Sequence, residues 1–146
     1  MASMDLLPSL CRRLQFSNAG SFLEPKLWVL WNDDLTLVPH DLGDQLVHMV
    51  ILWVGFTLHF STTYAKCTRV GRKDLWQAMK EVKERFTGPW LVAGDFNVIS
   101  NNNKRSGGAP PNEHNMEEFN EAISDSGLSE VSFDGPPFTW TNGRVW

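Results

Sequence analysis

A change of period between residues 45 and 93 constrains the fold more than any other feature of this chain. From Gln45 to Val54 the residues are nearly all apolar, and Gly55 interrupts them. Phe56, Leu58, Phe60, Thr62 and Tyr64 then alternate with Thr57, His59, Ser61 and Thr63. Side chains two apart share a face of an extended strand, so the stretch predicts a hairpin with Tyr64 on the aromatic and aliphatic, inward face of Phe56, Leu58 and Phe60. From Leu75 the step becomes three and four: Leu75, Trp76, Met79, Val82 and Phe86 mark one stripe of a helix with Asp74 near its start. Thr87-Gly88-Pro89 stops it. Trp90 to Ala93 is a short apolar run ending in Gly94-Asp95-Phe96-Asn97, as expected of a strand buried on both faces. A hairpin followed by a helical crossover and another strand predicts an α/β fold with a mixed sheet.

The flanks extend this pattern. Leu27-Trp28-Val29-Leu30-Trp31 reads as a buried strand, Asn32-Asp33-Asp34 as a turn, and Leu35 to Val38 as its hairpin partner. After a polar loop from Ser100 to about His114, Asn115 is placed to cap a second helix, with Glu118 three residues on and Met116, Phe119, Ala122 and Ile123 as its apolar stripe. Gly127 ends that helix, and short strands are expected at Leu128 to Ser132 and Phe138 to Thr141. Trp28, Trp76 and Trp90 each lie on an apolar stripe and are expected to be largely buried.

Composition sets the outer bounds. A chain of 146 residues with 42% hydrophobic residues suits one compact domain or part of one. A net charge of −4 lacks the basic footprint of most nucleic-acid binders. A phosphodiesterase can nevertheless draw positive charge from a divalent cation. The two cysteines, Cys11 and Cys67, form neither a disulfide framework nor a zinc motif and suit a reducing compartment. Asp5, Pro8, Arg12 and Arg13 break the N-terminal apolar residues before a signal sequence or membrane span forms, predicting a soluble, non-secreted chain. His40, His48, His59 and His114 show no metal-ligand spacing, and no Ser-His-Asp motif or glycine-rich phosphate loop occurs.

Two places carry candidate chemistry. On an extended backbone Asp95 and Asn97 point to the same side with Phe96 behind them, which offers a carboxylate to orient water beside an amide to donate to an oxyanion. The same four letters also describe a strand ending in an ordinary turn. Tyr64 ends its strand with a hydroxyl at the rim, either as a core tyrosine or as a site residue. Lys66, Arg69, Arg72 and Lys73 follow it, a local basic segment that suits phosphates or simply a solvated surface.

Taken in order, several pieces resemble one family. They are Leu27-Trp28-Val29-Leu30-Trp31-Asn32, Tyr64-Ala65-Lys66-Cys67, Trp90-Leu91-Val92-Ala93-Gly94-Asp95-Phe96-Asn97, Lys104-Arg105-Ser106-Gly107-Gly108 and Gly135-Pro136-Pro137-Phe138-Thr139-Trp140-Thr141-Asn142-Gly143-Arg144. The sequence resembles the endonuclease domain of plant LINE-type non-LTR retrotransposons, a branch of the endonuclease/exonuclease/phosphatase (DNase I-like) superfamily. The resemblance spans about Leu14 to the last residue and leaves residues 1–13 as a segment of unassigned role. It implies a four-layered α/β sandwich of two mixed sheets flanked by helices, and magnesium-assisted hydrolysis of DNA phosphodiesters in the nucleus or cytoplasm. By resemblance Asp95 orients and deprotonates the attacking water and contributes to the metal site, Asn97 bonds the phosphate or Asp95, and Tyr64 contacts the phosphate. The same resemblance makes Lys66, Arg69 and Arg72 candidate contacts to the nucleic-acid backbone, and Thr139-Trp140 a supporting strand.

Departures from the family qualify these expectations. Its members carry an asparagine strand and a metal-binding glutamate strand before the region matched here, and Glu24 falls too close to the Trp28 strand to replace that glutamate. Its closing Ser-Asp-His segment has no counterpart, since neither Asp125 nor Asp134 precedes a histidine. The resemblance therefore implies a partial domain that is inactive as an isolated chain. Two other readings are a phosphatase of the same superfamily and a non-catalytic binding module using Trp28, Trp31 and Trp53.

Overall fold

The computed structural model describes residues 6–24 and 26–138. The chain divides after Phe96 into two compact units. The first holds α1 (Leu7–Arg13), β1 (Asn18–Phe22), β2 (Leu27–Trp31), β3 (Thr36–Asp41), β4 (Leu46–Trp53), β5 (Phe56–Tyr64), α2 (Arg69–Arg85) and β6 (Trp90–Asp95). The second holds a 3-10 turn at Asn102–Lys104 and α3 (Glu113–Asp125). The fold class is α/β, with helices and two sheets as in an α/β sandwich.

β3, β4 and β5 form an antiparallel meander, and β6 returns through α2 to lie parallel to β5, giving the order β3-β4-β5-β6. Antiparallel neighbours need only a tight turn, whereas a parallel neighbour needs a crossover, and α2 supplies it. The β4–β5 turn is Val54-Gly55, both at positive φ (31° and 78°), as a two-residue hairpin loop following the twist of its strands requires. α2 starts earlier than Asp74: Thr68 caps it by accepting from the Gly71 N–H at 3.2 Å. Its buried stripe is Arg72, Leu75, Ala78, Met79 and Val82, and it packs on β4.

The expected hairpin of Leu27–Trp31 with Leu35–Val38 does not form. β2 pairs instead with β1, from Asn18↔Trp31 to Phe22↔Leu27, and β3 pairs with β4 in the other sheet. The Asn32-Asp33-Asp34 turn is present, with the Leu35 N–H bonded to Asn32 O at 3.1 Å. It passes the chain between sheets because the longer apolar β4 offers β3 a better partner. Glu24 lies in the β1–β2 turn at φ 25°.

β5 is covered on both faces, Thr62 being buried on the expected one and a polar set on the other. His59, Ser61 and Thr63 are buried, while Phe56 and Tyr64 are exposed and Leu58 and Phe60 half-buried. Buried polar side chains are tolerable when each finds a partner, and these do. Ser61 meets His48 and Trp90, His59 meets His48, and the Thr63 hydroxyl donates to Gln45 O at 2.8 Å. The second face of the sheet buries Val47 and Met49, and the β1–β2 turn brings Lys26 Nζ to 5.8 Å from the Tyr64 ring centre on that side.

Trp28, Trp76 and Trp90 have most of their surface covered, as expected, with a remainder open to solvent. Trp28 sinks its indole N–H away from solvent with no acceptor among the described residues, and Trp76 stacks on Phe96 at 6.4 Å.

In the second unit the cap of α3 is Asn112, not Asn115. The Asn112 side chain accepts from the Asn115 N–H at 3.2 Å, which starts the helix at Glu113. Gly127, at φ 68°, closes it as expected: Gly127 N–H bonds Ser124 O at 2.9 Å and Leu128 N–H bonds Ile123 O at 3.0 Å. No strand forms at Leu128 to Ser132, because the segment meets no ladder partner among the described residues. The strand expected at Phe138 to Thr141, with Thr139-Trp140, lies beyond Phe138 outside the described residues.

Candidate functional site

The candidate site is built at the end of the one parallel ladder. β5 and β6 are matched Thr63↔Gly94 and Tyr64↔Asp95, and the Ala65 N–H closes the ladder on Asp95 O at 2.8 Å. Register partners on adjacent strands sit about 5 Å apart and project to the same side. Tyr64 and Asp95 are therefore neighbours, and both are exposed.

Gly94 makes this match possible. At φ +148° a Cβ there would lie 2.1 Å from Thr63 O and 2.7 Å from Thr63 N, inside the backbone of the neighbouring strand. Only a residue without a side chain lets the two strands approach at this point. β6 ends one residue later. Phe96 turns to stack on Trp76, and Asn97 takes a left-handed conformation at φ 50°, which asparagine tolerates better than most residues. The extended spacing expected to set the Asn97 amide beside the Asp95 carboxylate therefore ends at Asp95. Asn97 opens the second unit.

The segment after Tyr64 is held by two residues whose part the sequence did not announce. Gln45 is 2% exposed and bonds on every side: its carbonyl accepts from the Tyr64 N–H, its Oε1 accepts from the Lys66 N–H at 2.7 Å, and its Nε2 donates to Gly71 O at 2.9 Å. Arg72 is equally buried and donates through Nη1 to Lys66 O at 3.3 Å and Cys67 O at 2.8 Å. These bonds assign Arg72 to fastening the 66–67 segment rather than to a solvent-facing phosphate contact. A lone amide heading an apolar run, and an arginine three residues before Leu75 on the same helix stripe, are the sequence features that could have marked them.

Lys66 projects from the fastened segment and pairs with Asp44 at 2.8 Å. The hydrogen bond between them holds the Asp44 carboxyl below its ordinary range and raises the Lys66 ammonium, so both stay charged at neutral pH. Both are largely solvated, and the pair orients Lys66 more than it stabilises the fold. Arg69 occupies the first position of α2.

Magnesium, which the resemblance implies, needs several oxygen ligands in near-octahedral array. Asp95 is one carboxylate, and no group of three or more His, Cys, Asp or Glu among the described residues is placed to hold a metal ion. These residues do not by themselves fit the cation. No helix among the described residues is long and apolar enough to cross a membrane. The chain matches no model of a known protein family, and a search of curated proteins finds no match.

Proposed function

We propose that this chain carries part of a phosphodiester-hydrolysing site of the endonuclease/exonuclease/phosphatase type, of retrotransposon origin, with DNA as its substrate and the nucleus or cytoplasm as its location. One observation supports this reading most: the tyrosine and the Gly-Asp pair, far apart in sequence, are register partners at one exposed strand end. An exposed carboxylate can accept a proton from water, and a phenol beside it can donate to a phosphate oxygen. Lys66, two residues after Tyr64, places an ammonium group near that strand end, oriented by its pair with Asp44. The reading leaves the cation to residues other than those described and assigns this chain only water orientation and phosphate contact.

The purified 146-residue chain is expected not to nick plasmid DNA at a useful rate in magnesium, because groups that act as a unit lose most of their effect when members are missing. A domain completed with the glutamate-bearing strand and the Ser-Asp-His segment that the resemblance calls for should nick it, and Asp95→Ala should abolish that activity with the circular dichroism unchanged. A completed, folded domain whose nicking is indifferent to Asp95→Ala would sink the reading.

A further inference from the structure

The sheet face under the end of α2 concentrates buried polar groups that the proposed chemistry does not use. His48 is fully buried in β4. Its Nδ1 lies 2.9 Å from Ser61 Oγ and its Nε2 lies 3.2 Å from His59 Nδ1. The Trp90 indole N–H donates to the same Ser61 oxygen at 2.9 Å. Phe86, which ends α2, closes over the group, with its ring centre 4.2 Å from that of His48, 5.2 Å from His40 and 5.5 Å from His59. Four elements meet around His48 and Ser61: β3 through His40, β5 through Ser61 and His59, β6 through Trp90, which bonds Ser61, and α2 through its C-cap Phe86.

Neutral imidazoles fit this arrangement. A single N–H between His48 Nε2 and His59 Nδ1 serves both rings, with one donating and the other accepting. An added proton places a charge where water is excluded. The titratable or charged groups acting on it are His59, His40 and Arg85, all basic, and Arg85 is itself engaged at the surface by Glu81. Protonating both rings would set N–H against N–H.

We propose that His48, enclosed by His59, Ser61 and Phe86, is a proton-operated latch: while it is neutral it clamps β6 and the end of α2 onto β4 and β5, and its protonation in acid releases them. The latch uses none of Tyr64, Asp95 or Lys66 and stands apart from the phosphodiesterase reading. Burial first, then His59, His40 and Arg85, push His48 down to about 4. His48 thus stays neutral, and the latch closed, across the range in which an ordinary imidazole takes up its proton.

The test follows the histidine ring and tryptophan indole resonances of the full chain from pH 8 to pH 4. His48 is expected to remain neutral through pH 6, and the hydrogen-bonded Trp90 indole signal to disappear over the same pH interval in which His48 protonates. His48→Gln keeps a neutral polar group and should move that disappearance at least about one pH unit lower. If that variant does not fold, His59→Gln removes a facing imidazole and should raise the pH at which His48 protonates. A His48 half-protonated near pH 6.5 in the wild-type chain with the Trp90 signal unchanged overturns the proposal. So does a folded His48→Gln chain that loses the Trp90 signal at the wild-type pH.

Discussion

Gly94 and Val54 show backbone conformation working in opposite directions. At Gly94 the absence of a side chain is required, because a methyl group would meet Thr63 O at 2.1 Å in a conformation L-residues rarely adopt. Gly94→Ala is expected to destabilise the chain by more than about 2 kcal/mol in urea titration, since neither strand can yield without breaking the ladder. Val54 is the reverse case, a β-branched residue held at φ 31° and 92% exposed, with strain and no packing to offset it. Val54→Asn, the residue that two-residue hairpin loops favour before glycine, should stabilise by about 1 kcal/mol in the same measurement. Loss of stability in that variant would show that the valine makes a contact the conformation alone does not reveal.

Elements were legible in the sequence where one period ran long enough, and illegible where partners decided. The β4–β5 hairpin and the stripe of α2 were readable because one spacing ran long enough, and β6 was readable as a strand but not as one buried on both faces, since Leu91, Ala93, Gly94 and Asp95 are exposed. The start of α2 was not, because Arg69 to Lys73 looks like solvated charge until Arg72 is seen turned inward. The partner of β3 was hidden for another reason: a turn sequence reports that the chain reverses, not which strand it meets next. The second, polar buried face of β5 was missed because polarity predicts exposure only when polar groups lack one another. Arg72 lends itself to a direct test. Arg72→Met keeps the stem in the helix stripe but leaves Lys66 O and Cys67 O without their donor, and should cost about 2 kcal/mol in denaturant unfolding. A cost near zero would mean that solvent reaches those carbonyls.

For the whole molecule, the elements that carry the candidate residues were readable in the sequence, and the contacts between them were not. That Tyr64 and Asp95 lie near each other is what the resemblance implies, while their register, the anchoring by Gln45 and the Lys66–Asp44 pair depend on contacts between distant segments. The same long-range packing makes stability sensitive to acid. An ordinary imidazole protonates at 6.5 and His48 at about 4, so the unfolded chain binds more protons between those values. His48's contribution is thus fully present above pH 6.5 and lost as pH falls toward 4. The loss should reach about 3 kcal/mol at pH 4, read as a shift in the urea midpoint beyond that of His48→Gln.

The crossover between β5 and β6 also orders events in time. The meander of β3, β4 and β5 closes through short turns, but β6 must wait for the 65–89 segment to be gathered before it can add to the sheet. Non-local pairings of this kind carry a larger loop-closure entropy and form late. Tyr64 and Asp95 are therefore expected to meet late in the folding reaction. Shortening a side chain on the late strand, as in Val92→Ala, should leave the refolding rate nearly unchanged and speed unfolding, whereas Met49→Ala in the early meander should slow refolding.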